Sequence, residues 1–145
     1  MRIACVGGGP AGLYFAMLMK LWGPGNDVTV YERNQTGMAH GGGVTIERQF
    51  LATLARLDPT SAQQIGRAAV RRQDQVVSYR GESDVHHDAA PSYGVSLQRL
   101  TDVLAARAAG SGVDIQYGHD VRSAAELRDA DLIIAADGAD RKSVV

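Results

Sequence analysis

The sequence predicts an α/β fold, a mostly parallel central sheet wound with helices and carrying a small β-hairpin insertion. Three observations support this. At the start, the apolar run Ile3-Ala4-Cys5-Val6 enters a glycine turn, an apolar helix pattern follows from Leu13 to Leu21, and Asp27-Val28-Thr29-Val30-Tyr31 reads as a second strand. Further along, helical and strand periodicities alternate, as βαβ units require. Near the end, Leu132-Ile133-Ile134-Ala135-Ala136 is a continuous apolar run, as expected of a central parallel strand.

The opening stretch is the most specific. Gly7-Gly8-Gly9-Pro10-Ala11-Gly12 follows a strand and opens a helix, and Glu32 ends the next strand twenty residues beyond Gly12. This arrangement binds the ADP half of a dinucleotide in Rossmann-like, three-layer domains. Gly7 permits the tight turn, Gly9 lets backbone approach a pyrophosphate, and Gly12 lets the helix pack closely on the sheet. The helix N-terminus offers unpaired N–H groups and partial positive charge to the phosphates. A carboxylate at Glu32 meets the ribose hydroxyls and opposes a 2′-phosphate, because two anions would be forced together. FAD or NAD is expected, rather than NADP.

Composition fits a single domain spanning residues 1–145. The chain is 45% hydrophobic and 21% charged with a formal net charge of −1, and no basic run points to nucleic acid. Cys5, the single cysteine, rules out a disulfide within one chain and reads as a small buried strand residue. No run reaches membrane-spanning length, and a charged n-region with a small-residue cleavage site is missing. A cytoplasmic location is the resulting expectation.

In chain order, Trp22-Gly23-Pro24-Gly25 stops the first helix. That helix is apolar on nearly all sides, so further protein is expected to cover it, with homo-oligomerisation as one outcome. A loop over residues 34–43 ends in Gly41-Gly42-Gly43, which implies either mobility or a close approach to ligand, the latter preferred. Glu47 to Leu57 reads as a helix with Phe50, Leu51, Leu54 and Leu57 on one face, stopped by Asp58-Pro59. Thr60 is placed to cap a short helix through Gly66. Val76, Val77 and Tyr79, then Arg80-Gly81-Glu82 and Val85, read as a hairpin. His86-His87-Asp88 lacks the further ligands a metal site needs, since neighbouring strand residues face opposite ways. Ser96 is placed to cap a helix bearing Leu97, Leu100, Val103 and Leu104. Val113, Ile115 and Tyr117 alternate as a strand, and Ser123-Ala124-Ala125-Glu126 is a capping-box pattern. Asp137-Gly138 falls at the strand edge where open α/β sheets bind ligands.

Several of these stretches together resemble one family. Residues 1–16, Val30-Tyr31-Glu32-Arg33-Asn34, Gly41-Gly42-Gly43-Val44, Tyr93-Gly94-Val95-Ser96-Leu97-Gln98-Arg99-Leu100 and Ala135-Ala136-Asp137-Gly138-Ala139 are similar to the FAD-dependent aromatic hydroxylases of the p-hydroxybenzoate hydroxylase fold. The nearest subset hydroxylates aryl-CoA thioesters (salicylyl-CoA, aminobenzoyl-CoA) or tryptophan derivatives of violacein-type pathways. The resemblance covers about the first third of such an enzyme. It implies an FAD monooxygenase that uses NAD(P)H and O2 on a small aromatic or aryl-CoA substrate. It also implies that Gly7, Gly9, Pro10, Ala11 and Gly12 hold the pyrophosphate, Glu32 the ribose and Arg33 the adenine end. Gly43 and Val44 would lie toward the flavin, and Asp137-Gly138 would back the pyrophosphate.

Two departures from the pattern stand out. Leu97 occupies the position where the family has a cofactor-contacting arginine, with Arg99 two residues on as the candidate replacement. The ending Asp137-Gly138-Ala139-Asp140-Arg141-Lys142-Ser143-Val144-Val145 lacks the family's usual serine and final arginine. No substrate half or aryl pocket is recognisable, so no catalytic residue is assigned, and the isolated chain is expected to be an incomplete domain without turnover. Two other readings stand beside this one: an NAD-dependent oxidoreductase domain, and a nucleotide-binding or interaction module without catalysis.

Overall fold

The computed structural model describes residues 1–38 and 41–138. Its centre is a four-stranded, all-parallel sheet in the order β6-β2-β1-β7. Strand β1 (Arg2–Val6) pairs with β2 (Asp27–Glu32) on one side and β7 (Leu132–Ala135) on the other, and β6 (Asp114–Tyr117) extends β2. Residues 3–6 are all buried, which is why this strand reads as an unbroken apolar run.

The run Leu132–Ala135 differs from the expectation. It is parallel but not central: among the described residues it pairs with β1 alone, and Ile133 is 38% exposed. Apolar continuity cannot separate a central strand from one with a half-open face.

Helix α1 (Pro10–Trp22) is also covered differently from expected. The chain itself buries it, between the sheet and α4 (Leu97–Gly110). Leu13, Ala16 and Met17 are almost fully buried, while Tyr14, Phe15 and Met19 pack partly against the same core. Burying each large side chain here contributes about 1.5–3 kcal/mol. Leu21 and Trp22, at its C-terminal end, remain exposed.

Helix α2 (Arg48–Leu57) starts after Glu47, which ends strand β3 (Gly43–Glu47). Of its apolar face only Leu54 is buried, and Phe50 is 54% exposed. Helix α3 (Pro59–Ala68) is capped by Asp58 rather than Thr60. Proline takes the first helical position, which puts the cap two residues earlier, and the Asp58 carboxylate accepts the Ser61 N–H. Arg107 of α4 donates to the same carboxylate, tying α3 to α4.

The hairpin belongs to a larger unit, a three-stranded antiparallel sheet ordered β3-β5-β4, with β4 at Val70–Tyr79 and β5 at Glu82–Ser96. Arg80 and Gly81 make its turn with positive φ values of 51° and 86°. Val76 and Tyr79 near the tip are exposed. His86 and Asp84 approach to 3.5 Å on the exposed strand, while the His87 and Asp88 side chains lie outside the described residues.

Among the described residues, the α-helices lie on one face of the parallel sheet. The other is covered by residues 118–131, whose Val121 and Leu127 pack on Ala4 and Val6. The capping box at Ser123 and Glu126 organises this segment as a 3-10 turn over Ala124–Leu127.

Candidate functional site

The site forms at the C-terminal edge of the parallel sheet, where the turn after β1, the ends of β2 and β6, and the residues after β7 meet α1 and α4. A cleft of about 420 Å³ opens there. This falls within the size range of small-molecule sites.

The glycines divide by role. Gly7 has φ +111°, and a Cβ there would fall on the Ala136 carbonyl. A Cβ at Gly12 would fall on the Gly7 carbonyl oxygen and lie 3.1 Å from Cys5 Sγ. Both are held by packing behind the cleft. Gly9 is the opposite: a Cβ there would meet nothing within 4 Å and would project into the open cleft. Cys5 itself is buried inside β1, and burial pushes its thiol up to about 11, so it is an inert packing group.

Helix α1 begins at this edge without a side-chain cap on Gly9, with proline in the first turn and no acidic residue there. Pro10 has no N–H to satisfy, which leaves the Ala11 and Gly12 N–H groups facing outward at the positive end of the helix dipole. Helix α4 also starts at this edge but is closed off. Leu97 N–H donates to Gly42 O at 2.9 Å, and Arg99 N–H donates to Ser96 Oγ at 3.2 Å. The anion-receptive terminus is therefore that of α1.

Glu32 is fixed at the tip of β2. One carboxylate oxygen accepts the Gly8 N–H at 2.6 Å, and the other accepts both the backbone and side-chain N–H of Asn34, each at 2.8 Å. An ionised carboxylate has about four acceptor sites, so capacity remains for a ligand. Beyond β2 and β6 the chains stay paired through Gly118 N–H to Asn34 O and His119 N–H to Glu32 O. Among the described lining residues Arg33 is the cation, set against the carboxylates of Glu32, Asp102 and Asp137.

Of the sequence candidates, Gly7, Gly9, Pro10, Glu32, Arg33, Asp137 and Gly138 line the cleft. Ala11 and Gly12 sit just behind in the first turn of α1. Gly43, Val44 and Arg99 do not line it; they stand on β3 and on the outer side of α4. Leu97 does, and it also packs on Gly41, where a Cβ would lie 2.9 Å from its Cδ2. Sequence reasoning missed Thr101, Asp102 and Tyr117. For Tyr117 the signal was its position at the end of a strand, as for Glu32; for Asp102 it was the helical spacing from Gln98.

An adenine dinucleotide fits this chemistry. The open space at Gly9 and the uncapped start of α1 lie beside the fixed Glu32 carboxylate, the donor and acceptor set that a pyrophosphate and a ribose would require. Comparison with known proteins agrees. The family described as FAD binding domain matches residues 1–130. A salicyloyl-CoA 5-hydroxylase from Streptomyces sp is 32% identical over 142 residues, covering 98% of this chain and 27% of that protein. A 3-hydroxy-4-methyl-anthranilyl-[aryl-carrier protein] 5-monooxygenase from Streptosporangium sibiricum is 33% identical, covering 96% of this chain and 38% of that protein. Among solved structures, the tetrameric form of 2-methyl-3-hydroxypyridine-5-carboxylic acid oxygenase superposes with a TM-score of 0.76 at 26% identity, over 94% of this chain and 39% of that one. CtdE in complex with FAD and substrate shares the fold at 18% identity, with a TM-score of 0.72 over 95% of this chain and 38% of that one. The chain thus spans between about a quarter and two-fifths of the length of the curated relatives it matches.

Proposed function

Since the chain belongs to the FAD binding domain family, we propose that it forms the adenosine-holding part of an FAD-dependent monooxygenase that hydroxylates a small aromatic or aryl-CoA substrate with NAD(P)H and O2. Support comes from the salicyloyl-CoA and anthranilyl-carrier relatives. The carrying observation in this chain is the uncapped α1 terminus facing an open cradle at Gly9 beside the fixed Glu32 carboxylate.

In this reading, bound FAD supplies the electron transfer and oxygen activation. The residues of the chain bind and orient it. The Ala11 and Gly12 N–H groups and the dipole of α1 neutralise the pyrophosphate in part. Gly9 allows the close approach, and the free acceptor capacity of Glu32 takes the ribose hydroxyls. Glu32 also opposes a 2′-phosphate, which directs the site to FAD rather than NADP. Asp137-Gly138, after β7, closes the cleft beneath the phosphates.

The cleft accounts for the adenosine half. Further protein is proposed to complete the flavin and substrate positions, with residues 1–145 acting as one unit that contributes FAD binding but not turnover. A homo-oligomer is one route to that completion. The test is FAD uptake by the purified chain, followed as flavin absorbance retained on desalting, together with NAD(P)H consumption on addition of aryl substrates. Partial flavin retention without substrate-stimulated consumption is expected. Failure to take up FAD at saturating excess would overturn the reading, and hydroxylated product would overturn the division of labour.

A further inference from the structure

Strand β4 forms one side of the antiparallel sheet, and among the described residues nothing pairs with its outer edge. Arg80 and Gly81, both at positive φ, make a two-residue turn that sets the alternation of the ladder. Tyr79–Glu82, Val77–Asp84 and Gln75–His86 are then the hydrogen-bonded pairs of the hairpin. Ser78–Ser83 and Val76–Val85 are the close pairs between them, and the Ser78 and Ser83 hydroxyls lie 2.7 Å apart, as such a pair allows. The N–H and C=O groups of Asp74, Val76 and Ser78 therefore point away from β5, along the outer edge.

Edge strands are usually blunted by proline, lysine or a bulge. Residues 74–79 of β4 contain neither proline nor lysine, and the register irregularity lies before them, between Arg72 and Asp74. The hairpin is instead apolar on both faces: Val76 and its pair mate Val85 are exposed on one, Val77 and Tyr79 on the other. A two-stranded ribbon of this kind is only marginally stable by itself. Its edge also carries opposite charges at its two ends, Asp74 before the apolar run and Arg80 at the turn, where the guanidinium stands 5.2 Å from the Tyr79 ring centroid.

We propose that the β4 edge is an interface for a second copy of this chain, the two β4 strands pairing antiparallel about a two-fold axis beside Val77. In that register Val77 meets Val77 of the second copy, and Val76 and Ser78 exchange backbone N–H and C=O bonds with Ser78 and Val76 of the second copy. Asp74 then lies opposite Arg80 of the second copy, twice by symmetry. Parallel pairing would set Asp74 against Asp74 and Arg80 against Arg80, so the charges select the antiparallel arrangement. The edge is thus complementary to itself, as a closed isologous dimer requires. The result is a continuous sheet in the order β5-β4-β4-β5, with no unpaired β4 edge left to recruit further copies. On the competing account the edge is simply solvated. The proposal stands apart from the adenine-dinucleotide reading, since none of these residues lines the cleft.

The experiment is sedimentation velocity of the chain over a concentration series, with thermal midpoints measured alongside. Wild type should pass from monomer to dimer and no further. Arg80→Asp and Asp74→Arg each place like charges at both symmetric contacts, and each should weaken dimerisation by about tenfold or more. The double variant, with the charges exchanged, should restore it. Val76→Pro removes an outward N–H without touching the β4–β5 ladder and should leave the chain monomeric. Wild type that stays monomeric throughout overturns the proposal. So does a dimer insensitive to Val76→Pro, a double variant that fails to recover, or growth into larger assemblies that ignores the charge changes, which would mark unspecific apolar association.

Discussion

The Glu32 carboxylate accepts the Gly8 N–H at 2.6 Å, across 24 positions of sequence, and so locks the tip of β2 to the glycine turn. The group expected to receive the ribose is thereby part of the frame that shapes the phosphate seat. Glu32→Ala removes both functions. A charged hydrogen bond contributes about 1.5–3 kcal/mol, so FAD affinity should fall about ten- to a hundredfold. Titration showing unchanged affinity would remove Glu32 from the site.

Gly9 and Gly12 make opposite predictions. Gly9→Val places its side chain in open cleft, so nucleotide binding should vanish at a stability cost of no more than about 1 kcal/mol for the poorer cap. Gly12→Ala drives a methyl into the Gly7 carbonyl, and should destabilise the fold by about 1–3 kcal/mol. Urea unfolding with parallel ADP titrations separates the two. Equal stability losses in both variants would contradict the assignment.

Much of this arrangement is legible in sequence because it is local. The turn, α1, β2 and Glu32 lie within the first 32 residues, where glycine spacing and apolar period determine structure directly. The capping box at Ser123 is local in the same way. What depends on long-range pairing was not legible. Val44-Thr45-Ile46 becomes a strand only by pairing with residues 93–95 of β5. The run Leu132–Ala135 shows its apolar content but not its place at the side of β1. Tyr117 and Asp102 join the site only because β6 registers with β2 and α4 packs on α1.

Leu97 stands in the cleft with Arg33 as the cation among its described lining residues. Leu97→Arg should add a guanidinium within reach of the phosphates and tighten FAD binding by about 1.5–3 kcal/mol. Fluorescence titration reads this directly. Unchanged or weaker binding would mean that the Leu97 contact with Gly41 matters more than the added charge.

Asp58 supplies a pH signature independent of the site. Burial alone would raise its carboxyl pKa, but hydrogen bonds from Ser61 and Arg107 outweigh it, and the net shift is downward. The unfolded chain then binds this proton more readily. The stabilisation is complete above the unfolded carboxylate value of about 3.9 and is lost as pH falls through the lower folded value. Arg107→Ala should cost about 3 kcal/mol at neutral pH by leaving the buried carboxylate its Ser61 hydrogen bonds but no counter-charge. Urea midpoints should converge with wild type as pH falls below about 4; a gap independent of pH would refute the pairing as its source.

The location of the cofactor is tested most directly by amide NMR of the isotopically labelled chain titrated with FAD. The Ala11 and Gly12 amides, at the uncapped start of α1, should show the largest shifts, with Gly8 and Asn34 moving through the Glu32 carboxylate they share. Shifts confined to the β4–β5 hairpin or to the N-terminus of α4, with Ala11 and Gly12 unmoved, would contradict it.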